Sequence, residues 1–222
     1  MTTDASTRDR ILTAAERLFA DRGITTVSLR EINREAGAKS ASAVQYHFAD
    51  RAGVLQAILD KHRRDVDARR HAVLDHCEAE AVLGLRDLAG ALVRPLASKL
   101  TDTDGGPDYL RINAELVNTP RPTVGAAPGD PADSIQRWRA MVEPLLDPDA
   151  TRLHRRFTAI RFCAVELGRR AATAPHTDDR LFTEHLVDLT AALLAAPVSD
   201  ETKRLAGDRD QALSARRSRA TR

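Results

Sequence analysis

Five residues in one short run, Ser40, Ala41, Ser42, Gln45 and Tyr46, carry side chains suited to the edges of nucleic-acid bases. A glutamine amide bonds adenine bidentately, and an alanine methyl packs against the methyl of thymine. Around them stand Thr26, Ser28, Arg30, Lys39, His47 and Arg51, hydroxyls and cations that suit phosphate oxygens and would set register without reading sequence. Tyr46 fits either role. In another setting His47 would be a partly buried histidine bonded to a carbonyl, and Arg30 a low-value surface partner of Glu31 or Asp21.

Such chemistry needs a rigid carrier, and the spacing predicts one. Ser28 followed three residues later by Glu31 is a capping box, opening a short helix whose Leu29, Ile32 and Ala36 share one face and which Gly37 ends. Ser40 caps a second short helix in which Val44 and Phe48 lie four apart, leaving Ser42, Gln45, Tyr46 and His47 on other sides. A preceding helix over about Thr7 to Arg22, apolar at Ile11, Ala15, Leu18 and Phe19 and stopped by Gly23, buries the backs of both, with Ile24 and Val27 added. Together with RILTAAERLFADRGITT before it and ADRAGVLQAIL after it, this helix-turn-helix resembles the N-terminal DNA-binding domain of the tetracycline-repressor (TetR) family, over roughly Arg8 to Leu59. The segment AGAKSAS is one residue longer than the family pattern, and Gln45 stands where the family often has tyrosine.

The chain has 222 residues, abundant alanine, leucine and arginine, and 4% aromatics, which favours an all-α fold. The reading is an N-terminal three-helix helix-turn-helix domain (1–50), a C-terminal helical effector-binding and dimerisation domain (51–198), and a flexible basic tail (199–222). A net charge of +2 leaves any DNA affinity to local placement of charge, since Met1–Leu55 carries eight Lys or Arg against seven Asp or Glu. Two isolated cysteines, Cys77 and Cys163, suit a reducing compartment. With no signal peptide and no long apolar run, a cytoplasmic location is expected.

Enzyme chemistry finds no purchase. Phosphate loops, GxSxG, HExxH and paired CxxC motifs are missing, and no cofactor is expected. His71 and His76, five apart, lie about 140° apart on a helix and cannot readily share a metal with Cys77. Asp108, Glu115, His154 and Glu166 are scattered without an ordering signal.

Beyond the first domain a long helix is predicted from Arg51 to Glu80, with Leu55, Ile58, Leu59, His62, Val66, Val73 and Cys77 on one stripe. Leu85, Leu88, Leu92, Leu96 and Leu100 form another stripe, with a kink or break expected at Pro95. Shorter helices follow around Tyr109–Val117 and Ile135–Leu145, separated by a proline-rich loop over 119–131. Asn113, Trp138, Met141, Thr158, Phe162 and Glu166 are candidates to line a small-molecule cavity, although the aromatic and methionine positions equally suit ordinary core. Two seams step alternately by four and three. One comprises Leu153, Phe157, Ile160, Ala164, Leu167 and Ala171, with Gly168 beside it; the other Phe182, Leu186, Leu189 and Leu193. They suit either a bundle with a second subunit or closure of the chain's own core.

The family resemblance implies a homodimer that binds a palindromic double-stranded operator, represses by occlusion and is released by a small-molecule effector. Those last two long helices would pair with their twins. The competing reading is an architectural or partner-binding helical protein that uses the same N-terminal domain for protein contacts.

Overall fold

A computed structural model of the protein describes residues 6–38, 40, 42–79, 84–119, 133–173 and 176–220. Within them the chain is all-helical. The first domain is α1 (Thr7–Arg22), α2 (Leu29–Glu35) and α3 (Ala43–Phe48), followed by the long α4 (Arg51–Ala79). The remainder is α5 (Leu85–Ala97), α6 (Gly106–Asn118), α7 (Ser134–Val142), α8 (Pro148–Arg152), α9 (Arg155–Ala172), α10 (Arg180–Ala195) and α11 (Asp200–Ala220). The predicted loop over 119–131 lies outside the described residues except for Thr119.

Helix boundaries follow local chemistry. Ser6 caps α1 by accepting from the Asp9 N–H, and Gly23, at φ +89°, ends it with its N–H on the Phe19 carbonyl. Residues 7–22 are thus helical as the sequence predicts. The α2 box is complete: Ser28 Oγ accepts from the Glu31 N–H, and the Glu31 carboxylate accepts from the Ser28 N–H at 2.9 Å. These bonds, with Arg22 at 2.8 Å, hold the Glu31 carboxyl down to about 2. A carboxyl depressed in the folded state stabilises fully above its ordinary value of 4.5 and loses that contribution as pH falls toward 2. The stability gap between the parent and Glu31→Gln, measured by urea unfolding at a series of pH values, is therefore expected to be full above pH 4.5 and to close as pH falls toward 2, because the variant has no such carboxyl to protonate. After α2, Gly37 at φ +60° donates to Arg34 and Ala38 to Asn33, the paired bonds of a left-handed helix stop.

Two cores form. The first is built on Ile11, Phe19, Val27, Ile32, Val44 and Ile58, all fully buried. The second centres on Leu74, Leu88, Leu110, Trp138 and Leu167, also fully buried. On α4 the buried stripe runs through His62, Val66, Arg70, Leu74 and Cys77, so Arg70 and Leu74 occupy it and Val73 is only half-buried. Pro95 does not break α5. The helix runs on to Ala97 before tightening into a 3-10 turn over Ser98–Thr101, and the Ala91 carbonyl, which Pro95 cannot serve, accepts from Arg70 Nε at 3.2 Å. The residues read as a loose tail instead form α11, tied down by Arg152, which donates to the Ala206 carbonyl at 2.6 Å and to Asp210 at 2.8 Å.

The domains are bolted together by α6 as well as by α4. Ile112 of α6 is fully buried within the first core, and the Glu115 carboxylate accepts from the Ile24 N–H at 3.1 and 3.2 Å. Arg111 reaches Asp21 at 2.8 Å. On the α4 side, buried Glu16 of α1 accepts from His62 Nε2 at 2.5 Å and from Lys61 Nζ at 3.0 Å, while the His62 ring stacks on Tyr109 of α6 with centroids 4.6 Å apart. A buried carboxylate is tolerable only with partners of this kind.

Candidate nucleic-acid interface

Helix α3 is six residues long, too short to be stable alone, and owes its existence to what it packs on. Ala43, Val44 and Phe48 face the first core. Opposite them, Gln45 and Tyr46 point to solvent, Tyr46 being 85% exposed. Ser40 and Ser42 are exposed at the helix entrance. Ser40 is not the cap: its Oγ accepts from the Ser42 N–H at 3.2 Å, and the helix begins at Ala43, two residues later than a Ser40 cap implies. Neither Ser40 nor Ser42 serves the second free N–H of α3. Asn33 of α2 does so, its Oδ1 accepting from the Val44 N–H at 3.2 Å from a buried position.

Asn33 is the residue that sequence reading missed. A polar side chain four before Gly37 looks like one more solvent-facing position of α2, and only the crossing of α2 over α3 turns it inward. Asn33→Ala is expected to cost about 1 kcal/mol, the usual loss for a helix cap. Urea unfolding measures it, and an unchanged midpoint would show that the bond is dispensable. Gly53 fixes the other end of α3, since a Cβ there would overlap the Phe48 carbonyl oxygen and force α4 away.

The residues read as phosphate ligands divide. Arg30 is exposed on α2 and His47 is half-buried on α3, its ring edge-on to Tyr46 at 5.0 Å. Thr26 is exposed, but its hydroxyl donates to the Arg22 and Gly23 carbonyls, closing α1. Ser28 is committed to the α2 box, and Arg51 donates to the Thr25 carbonyl at 3.2 Å. Lys39 and Ala41 lie outside the described residues. The candidates that keep solvent access are Arg30 on α2 and Ser40, Ser42, Gln45, Tyr46 and the half-buried His47 at α3.

The other predicted groups fall in several environments. Of the six candidate effector residues, only Asn113 lines the cavity of about 240 Å³ enclosed by α4, α5, α6, α7 and α9. Trp138 is core, its Nε1 donating to the Leu88 carbonyl at 2.7 Å; Met141 and Phe162 pack half-buried against that core; Thr158 is exposed and Glu166 half-buried away from the cavity lining. The first seam is largely filled within the chain. Ala164, Leu167, Gly168 and Ala171 are buried, and a Cβ on Gly168 would overlap the Ala114 side chain, so α9 presses this edge on α6. Leu186 is likewise buried, with Ile160, Phe182 and Leu193 partly so. Phe157 (39%) and Leu189 (43%) remain open, and Leu153 is half-buried. A helical period does not say which of two adjoining faces meets the home chain.

Among the described residues no single helix is long and apolar enough to cross a membrane. Comparison with known proteins adds the following. Residues 11–58 match the family described as bacterial regulatory proteins, tetR family. Over 59 residues the chain is 39% identical to the HTH-type transcriptional repressor BepR of Brucella suis biovar 1 (strain 1330), which covers 27% of this chain and 28% of that one. The match thus spans little more than a quarter of that relative. Among solved structures, AmtR of Mycobacterium smegmatis superposes with a TM-score of 0.51 at 17% identity, covering 94% of this chain and 96% of the other. NalD of Pseudomonas aeruginosa, the secondary repressor of the MexAB-OprM multidrug efflux pump, gives 0.51 at 21%, covering 87% and 97%. These two likenesses establish the fold, and the matched segment is the one that forms α1, α2, α3 and the first turns of α4. Over its helix-turn-helix unit, residues 11–58, the chain is similar to the tetR family of bacterial regulatory proteins.

Proposed function

We propose that the protein is a cytoplasmic transcriptional repressor that binds a palindromic DNA operator as a homodimer through α3 and leaves it when a small molecule enters the C-terminal cavity. The carrying observation is α3 itself: a helix buried along one side and pinned at both ends, with a glutamine amide and a tyrosine phenol projecting from the other. Rigid support matters because a base contact depends on side chains held in register. In this reading Gln45 and Tyr46 contact base edges, Ser40, Ala41 and Ser42 approach the groove wall, and Arg30, Lys39 and His47 hold phosphates. Two such heads would meet successive major grooves about 34 Å apart.

Release requires that ligand favour one spacing of the heads over another. Helix α6 is well placed to carry that preference, since Tyr109 and Asn113 line the cavity while Ile112 and Glu115 engage the first domain. Helix α4 shares the task, with Val66 and Arg70 at the cavity and Val54 and Ile58 in the first core.

The test is a gel shift with DNA flanking the protein's own gene, with a scrambled duplex as competitor. Gln45→Ala is expected to weaken the preferred site by about 5–150-fold, the loss of one bidentate base contact, and to leave scrambled DNA unaffected. Arg30→Ala should weaken both alike and lower the salt slope by about one. If no fragment is retarded at low salt, or Gln45→Ala weakens both duplexes equally, sequence reading by α3 is refuted.

A further inference from the structure

The cavity of about 240 Å³ contains both charged and apolar lining, and its polar groups are unevenly used. Both carboxylates already accept hydrogen bonds. Asp67 accepts from the Ser134 hydroxyl and lies 3.5 Å from Arg70 Nη1, and Asp133 caps α7, accepting from the Ile135 N–H at 3.0 Å and from Gln136. Arg70, itself buried, is spent on the Ala91 carbonyl and on Ser134 Oγ at 2.7 Å. Three donors are not spent. The Arg63 guanidinium, the hydroxyl of the buried Tyr109 and the carboxamide of Asn113 have no hydrogen-bond partner among the described residues, and all three line this one space. Burial raises the Tyr109 phenol above its ordinary range, which keeps it an O–H donor. The apolar part of the lining includes Leu92, Leu96, Val117 and Ile160, side chains with nothing to offer a polar ligand.

Resting on the effector reading above, we propose that the ligand of this cavity is a small apolar monocarboxylic acid, its carboxylate held by Arg63, Tyr109 and Asn113 and its hydrocarbon body by the Leu92–Ile160 wall. A cationic ligand would meet the like charge of the Arg63 guanidinium in the same space. A carboxylate satisfies all three and pairs with Arg63, which makes no ion pair among the described residues. Charge-assisted bonds of this type are stronger than neutral ones, so the acid should be preferred to its amide. The volume, below the usual range of drug-sized sites, limits the body to a short chain or a single ring.

Octanoate and benzoate are the probes, with octanamide and benzamide as neutral matches, titrated into full-length protein and followed by fluorescence of Trp138, the only tryptophan in the chain. Saturable binding of at least one acid is expected, at least tenfold tighter than its amide. Arg63→Gln should abolish that preference, and Asn113→Asp, which places an acceptor where a donor stood, should remove acid binding while circular dichroism stays unchanged. Acids that bind no better than amides, or equally well to Arg63→Gln, would overturn the assignment. The same ligands added to the gel shift separate the two claims. If an acid binds as described yet leaves DNA retarded, the ligand class stands and release by ligand falls. If only amides or amines bind and free the DNA, release stands and the carboxylate assignment falls.

Discussion

Replacing Leu189 with arginine is expected to give a folded monomer that has lost nearly all operator binding. Leu189 is 43% exposed on α10, and the same helix shows Leu181 at 84%, so this face has apolar surface that the chain itself leaves uncovered. A charge there costs little in an isolated subunit, because the arginine head can reach water. In a twofold interface the substitution appears twice, facing the same patch, and a desolvated like-charge pair is costly. Operator affinity then falls for a further reason: two linked heads gain about 10²–10⁴-fold over one through effective concentration alone. Analytical ultracentrifugation gives the subunit count and gel shift the affinity. A variant that sediments as a dimer and binds DNA normally would move the interface off the exposed side of α10.

Trp138→Ala should be the most damaging single change in the C-terminal domain, destabilising it by about 3–5 kcal/mol. The indole is fully buried between α5 and the rest of the second core, and its Nε1 hydrogen bond to Leu88 ties α7 to α5. Trp138→Phe keeps most of the volume and drops the donor, so about 1 kcal/mol is expected there. Denaturant unfolding followed by circular dichroism distinguishes them. If the alanine variant loses less than the phenylalanine variant, the side chain is not a packing centre. A loss of this size would also loosen the cavity walls, so ligand binding should weaken in Trp138→Ala and persist in Trp138→Phe.

The boundaries of α1, α2 and α4 were legible because each is set by bonds among neighbours in sequence: Ser6 and Gly23 on α1, the Ser28–Glu31 box and Gly37 on α2. The exposed Gln45 and Tyr46 were legible for the same reason, since Val44 and Phe48 at a spacing of four fix which side of a single turn is buried. No break occurs at Pro95 because a helix can pass through proline when another donor takes the vacated Ala91 carbonyl, and that donor, Arg70, lies 21 residues before Ala91 on another helix. The cavity lining was not legible for a related reason. Trp138 and Phe162 share a helical period with core residues, and nothing in a period marks where helices fail to touch and leave a cavity.

Sequence by itself determined the helical class, the family likeness of the first domain, and the two side chains exposed on α3, because local periodicity and end-capping are properties of a dozen residues at a time. Tertiary structure alone decided that Asn33 starts α3, that Glu16 and His62 couple the domains, that Gly168 belongs to a home contact and that Arg63 faces a cavity beside Tyr109 and Asn113. Each of these depends on where two distant helices cross, and a crossing is set by the packing of whole side-chain surfaces that no single stretch of chain contains.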